Sequence, residues 1–284
     1  MAAAGAVGIL IAVAAGLGGS PPAALPTTVP ATIPADRPTL QADLDLAQRI
    51  IDDPASPAAG VAGAGRFEQL AVAALEGRPR GAQRAVENGL SRAAATAIRA
   101  DLDAGTSLSR LDVPHKRLPP WRIEPPPPPS TLLGYFKAAQ ASYDVPWQYL
   151  AAIEFVETRF GRVRGLSAAG AEGPMQFRPA TWARYGRGDV REPRDAIFGA
   201  ARYLTAHGAP RDMAGALLHY NPSQEYVRAV TDYAARMRVD QRAYYGYYAW
   251  QVLYLRRGRL LLLPEGYPKL PPRRVTLPAG PLSG

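Results

Sequence analysis

The chain has 284 residues, no cysteine and a formal net charge of +9. The missing cysteine excludes disulfides and thiolate chemistry, and three scattered histidines (His115, His207, His219) lack the spacing of a zinc site. The positive charge favours an anionic partner, either a polymer or a membrane surface, although solubility alone accounts for it equally well. Nucleic acid ranks low, because the basic residues form no stripe and no nucleic-acid motif is present.

Residues 2–19 are uncharged and largely apolar, about 27 Å long as a helix and barely enough to span a bilayer. We therefore expect export, with 1–19 as either a cleaved signal peptide or a membrane anchor, followed by a Pro-rich tether at 20–38. Residues 39–111 are Ala-rich, and their spacing predicts helices over 39–53, 67–77 and 84–102. No chemistry is visible in this region, whose role stays open. Eight prolines between 114 and 129 mark a linker over 112–130. Its run of five prolines predicts a polyproline II rod of about 15 Å that sets the distance between two halves.

From 131 to 239 the helix signals are regular enough for an all-α domain. Asp144 is expected to cap a helix running from Pro146 to just before Gly161. Pro179 and Pro193 open two further helices, 212–220 forms another, and Tyr226, Val230, Tyr233 and Met237 recur at core spacing in a last one. In 240–284, the stretch 250–263 reads as a β-hairpin turning at Gly258, with a Pro-rich tail behind it. The fold class is thus mainly α, with a small C-terminal hairpin.

One residue stands out in this pattern. On a helical wheel Glu157 lies with Leu150, Ile153 and Phe160 on the apolar side, opposite Gln148 and Arg159. Desolvation favours the neutral form of such a carboxyl group, which makes it a usable general acid near neutral pH. Downstream come the segments SAAGAEGPMQF (167–177) and ALLHYN (216–221).

With VETRFG (156–161), these segments resemble, in order and spacing, the catalytic domain of soluble-type lytic transglycosylases. That domain has the lysozyme-like fold, and the resemblance covers about 131–238. GPMQF-x-P-x-TW and the aromatic C-terminal hairpin are similar to exported, actinomycete-type members. The resemblance implies that Glu157 protonates the glycosidic oxygen between N-acetylmuramic acid and N-acetylglucosamine. Met175 and Gln176 are expected to line the sugar cleft, and Gly173 to let backbone approach substrate. Tyr220 is expected to hydrogen-bond the glutamate. For Thr158 a helper role and a capping role both stay open, and Asn221 either meets substrate or only ends its helix. The tyrosines at 244, 245, 247 and 248 either stack on sugars or pack the hairpin down. Two departures touch the loops: Pro174 replaces a common leucine and removes a backbone N–H, and Pro222-Ser223 replaces Ala-Gly.

A hydrolytic glycosidase needs two carboxylates across the bond. Glu154 projects beside Glu157 from the same helix, so Glu172 is the better second candidate. The transglycosylase route needs one acid, which acts twice while the muramic 6-hydroxyl closes a 1,6-anhydro ring, without metal or organic cofactor. A hydrolase on the same fold and a non-catalytic wall-binding protein are the alternatives. The expected partner is the peptidoglycan glycan strand, outside the cell membrane.

Overall fold

The computed structural model describes residues 28–111 and 116–278. The apolar run at 2–19, and with it the choice between signal and anchor, lies outside the described residues. Among the described residues no helix is long and apolar enough to cross a membrane.

Four helices come first: α1 (Arg37–Asp52), α2 (Ala58–Glu76), α3 (Arg80–Glu87) and α4 (Arg92–Ser109). Asp36 caps α1 by accepting the Thr39 N–H, and Ser91 caps α4 by accepting that of Ala94. The single helix expected over 84–102 is two, because a turn at 88–90 ends α3 and Ser91 starts a new helix. The helix expected from 67 begins at Ala58. Its first turns are Ala/Gly-rich and carry no amphipathic signal, yet Gly60, Val61, Ala64 and Gly65 are buried. At Gly65 a Cβ would lie 2.3 Å from the carbonyl oxygen of Gly246, so only glycine allows that approach.

The second half contains β1 (Arg122–Ile123), α5 (Pro129–Tyr143), α6 (Trp147–Thr158), β2 (Val163–Arg164), α7 (Pro179–Tyr185), α8 (Pro193–Ala206), α9 (Met213–Tyr220), α10 (Gln224–Val239) and α11 (Ala243–Tyr248). The strands β3 (Val252–Arg256), β4 (Arg259–Leu263) and β5 (Arg273–Arg274) follow. β3 and β4 pair antiparallel through the two-residue turn Arg257-Gly258, in which both φ angles are positive. The architecture is mainly helical, as expected of a lysozyme-like domain.

Asp144 does not cap α6. It closes α5 in the left-handed region (φ 58°), and α6 is capped by Gln140, whose side-chain oxygen accepts the Trp147 N–H at 2.7 Å. Pro146 fixes an extended entry and stands before the first helical residue.

The larger departure concerns the two halves. One continuous core joins Leu44, Phe67 and Leu102 of the first with Phe136, Phe155 and Tyr233 of the second. α10 packs on both α4 and α6, and α11 packs on α2. Arg236 of α10 is buried and donates to Asp101 at 2.5 Å, Glu68 at 2.7 Å and Gln48 at 3.3 Å, all in the N-terminal helices. The Pro-rich stretch is therefore a strap and does not act as a spacer. Tyrosine hydroxyls from the C-terminal region donate to the carbonyls of Arg117 (Tyr254, 3.0 Å), Pro119 (Tyr267, 2.7 Å), Pro127 (Tyr248, 2.9 Å) and Pro129 (Tyr244, 2.9 Å). Proline has no N–H but keeps its carbonyl, and phenolic donors meet that need. Tyr244 and Tyr247 are also core residues; here packing wins over sugar stacking.

Candidate active site

α6 ends abruptly. Arg159, Phe160 and Gly161 take positive φ in succession, which turns the chain back along the helix. Thr158 secures this end. Its hydroxyl donates to the Pro174 carbonyl at 2.7 Å and accepts the Gly161 N–H at 2.9 Å. Thr158 is 1% exposed and ties α6 to the opposite loop.

That loop is a β-turn. The Gln176 N–H donates to the Gly173 carbonyl at 3.1 Å, and Glu172 and Phe177 exchange two backbone bonds beneath it. Pro174 occupies the second turn position, where its fixed φ is favoured and its missing N–H leaves nothing unpaired. Gly173 (φ 79°) is required by packing, since a Cβ there would lie 2.0 Å from the Val190 carbonyl oxygen. It approaches protein backbone, away from the cleft. Met175 is fully buried, so its side chain supports the turn from within. Its carbonyl accepts the Tyr220 hydroxyl at 2.6 Å. The turn thus presents one side chain, that of Gln176 (φ 49°), to the cleft.

The cleft has a volume of about 640 Å³ and is lined by Glu157, Gln176, Phe177, Tyr203, Tyr220 and Asn221, among others. Glu157 is the one carboxylate among its described lining residues. Glu172 faces elsewhere and pairs with Arg191 at 2.7 Å. The hydroxyl that holds Glu157 belongs to Tyr226, which donates to Oε1 at 2.8 Å; this corrects the expectation for Tyr220. The two tyrosine rings are parallel, 6.5 Å apart. Tyr226 sits at core spacing and is 2% exposed, and a buried phenol needs an acceptor, which Glu157 supplies. Asn221 both closes α9, through its N–H to Leu217, and lines the cleft.

Burial pushes the Glu157 carboxyl up to about 7, and the Tyr226 hydrogen bond opposes that shift. Glu154, one turn back, is fully buried, and neither carboxylate oxygen has a hydrogen-bond partner. Burial raises it to about 8, with Arg164 opposing. The site therefore offers a carboxyl group that stays partly protonated at neutral pH, a phenol that steadies the anion it becomes, and an amide for a polar substrate. Among the described residues no group of three or more His, Cys, Asp or Glu side chains is arranged to hold a metal ion.

The site is thus an open cleft in a helical domain, with one carboxyl group of raised pKa among its described lining residues. Residues 134–238 match the family model of the Transglycosylase SLT domain. Over 73 residues the chain is 36% identical to the Membrane-bound lytic murein transglycosylase F of Thiobacillus denitrificans (strain ATCC 25259 / T1), an alignment covering 26% of this chain and 15% of that protein. The chain thus spans a small part of the length of this relative. No solved structure matches it. Residues 134–238 are a transglycosylase SLT domain.

Proposed function

We propose that the protein is a peptidoglycan lytic transglycosylase of the cell envelope, with Glu157 as both acid and base. The observation that carries this reading is the lone carboxylate in the cleft. Hydrolysis calls for a second one across the bond, and the nearest candidates are buried (Glu154) or paired in another pocket (Glu172). In the proposed reaction Glu157 gives its proton to the glycosidic oxygen as the C1–O bond of N-acetylmuramic acid breaks. The substrate's N-acetyl carbonyl stabilises the cationic carbon. The Glu157 carboxylate, held by Tyr226, then removes the proton of the 6-hydroxyl, whose oxygen closes on C1. The proton returns to Glu157 and no water is consumed. The Gln176 amide nitrogen donates to the Gly173 carbonyl at 2.9 Å, so its oxygen is the atom that suits the N–H of an N-acetyl group or a hydroxyl. The murein-acting relative supports the substrate class, and its membrane-bound character supports an envelope location.

The test is mass analysis of products from purified peptidoglycan treated with the full chain. Muropeptides lighter by one water, made by wild type and absent with Glu157→Gln, are expected. Reducing-end products would replace this mechanism with hydrolysis, and bound but uncut glycan would make the protein a wall binder.

A further inference from the structure

The wall formed by 165–167 and the 171–177 loop has two sides. Ser167, Ala171 and Gln176 face the cleft; Gly165, Leu166 and Glu172 face a second pocket of about 660 Å³. The opposite side of this pocket comes from the strap, through Arg122 and Glu124, which lie before the matched domain at 134–238. The pocket is thus built by the chain's own addition to the catalytic domain.

Its charges do not cancel. Three guanidiniums line it (Arg122, Arg164, Arg191) against two carboxylates (Glu124, Glu172). Arg122 pairs with Glu124 at 3.0 Å and Arg191 with Glu172 at 2.7 Å. Arg164 has to share Glu124 with Arg122: its buried Nε has no hydrogen-bond partner and meets that carboxylate only as a longer ion pair of 3.7 Å. The acid behind it, Glu154, is kept neutral by burial. Beside these charges Leu166 is 60% exposed. One guanidinium in excess of the carboxylates, ion pairs able to re-partner and an apolar crest fit an acidic peptide better than a neutral sugar.

We infer that this pocket binds a carboxylate of the peptide borne by the glycan strand, with Arg164 as its anchor, Arg122 and Arg191 as flanking cations, and the peptide crossing Leu166. The inference rests on the proposed function, since a glycan in the cleft is what carries the peptide to the wall.

The experiment compares cleavage of peptide-bearing strands with strands stripped by an amidase, using the full chain and an Arg122→Gln/Arg191→Gln variant. Both arginine side chains are 70% exposed, so the fold should hold. Wild type is expected to favour peptide-bearing strands in kcat/KM by about tenfold, the size of one charge-assisted hydrogen bond. The variant should lose that preference with its rate on stripped strands unchanged. Equal losses on both substrates, or no loss on either, overturn the inference. Calorimetric titration with the amidase-released peptides supplies an independent reading: binding to wild type and to Glu157→Gln, abolished in the double variant, is expected. If wild type cuts neither strand, the proposed activity fails and the titration alone decides the pocket, absent binding overturning it.

Discussion

Two glutamates one helical turn apart show how surroundings divide labour between identical side chains. Glu157 opens on the cleft and has a phenolic donor; Glu154 has neither solvent nor partner. A hydrogen bond to a carboxylate favours its charged form, so Tyr226→Phe should raise the pKa of Glu157. The basic limb of the pH–rate profile, set by the protonated acid, would move to higher pH, and kcat would fall. Tyr220→Phe, which loses only a bond to the Met175 carbonyl, should leave that limb in place; a shift would relocate the contact. Glu154 predicts a stability effect. Its folded pKa of about 8 lies above the ordinary 4.5. Between those values the unfolded state has released a proton that the folded state retains, so stability falls as pH rises through the window. The slope is about 1.4 kcal/mol per pH unit at most. Glu154→Gln should flatten the pH dependence of urea unfolding from pH 5 to 8; an unchanged slope would show that Glu154 does not carry it.

Among the helices, α10 links the halves and also reaches the site, while α11 adds a second seam against α2. The first turn of α10 brings Tyr226 to the acid, and its last turn sends Arg236 into the N-terminal helices. Arg236→Met leaves Asp101 and Glu68 buried without their cation, a loss of about 3–5 kcal/mol. A urea midpoint near wild type would mean that the acids neutralise without harm. The sequence made most boundaries of the second half legible, because Pro179, Pro193 and the Gly258 turn are local signals, but the one cap expected there, Asp144, closes α5 instead. It also exposed Glu157, whose position on an apolar face is a local contradiction. It hid the start of α2 and the partner of Glu157. The first depends on glycine packing against glycine across 181 residues (Gly65 to Gly246), the second on which of two stacked phenols reaches the carboxylate. Both are tertiary facts with no periodicity of their own.

The Pro-rich strap looked like a division between two units because its composition breaks helical patterning. Its carbonyls are in fact held by four tyrosines, and the core passes continuously beneath it. A 112–284 fragment would expose the faces of α10 and α11 that α4 and α2 cover, an apolar area large enough to promote aggregation. We expect that fragment to be insoluble or molten by near-UV circular dichroism; a cooperative, active fragment would show that the N-terminal helices are dispensable.

The reach of Arg236 also bears on how the protein acquires activity. Its bonds to Asp101 and Gln48 close loops of 135 and 188 residues, and Gln69 exchanges two bonds with Gln251 across 182. Closures of that length slow folding. Because α10 carries both the distant contacts and Tyr226, we expect the acid and its phenol to come together when α10 docks on the N-terminal helices. After dilution from denaturant, catalytic competence should therefore return with the slowest refolding phase, and a partly folded chain would have a cleft but no working acid.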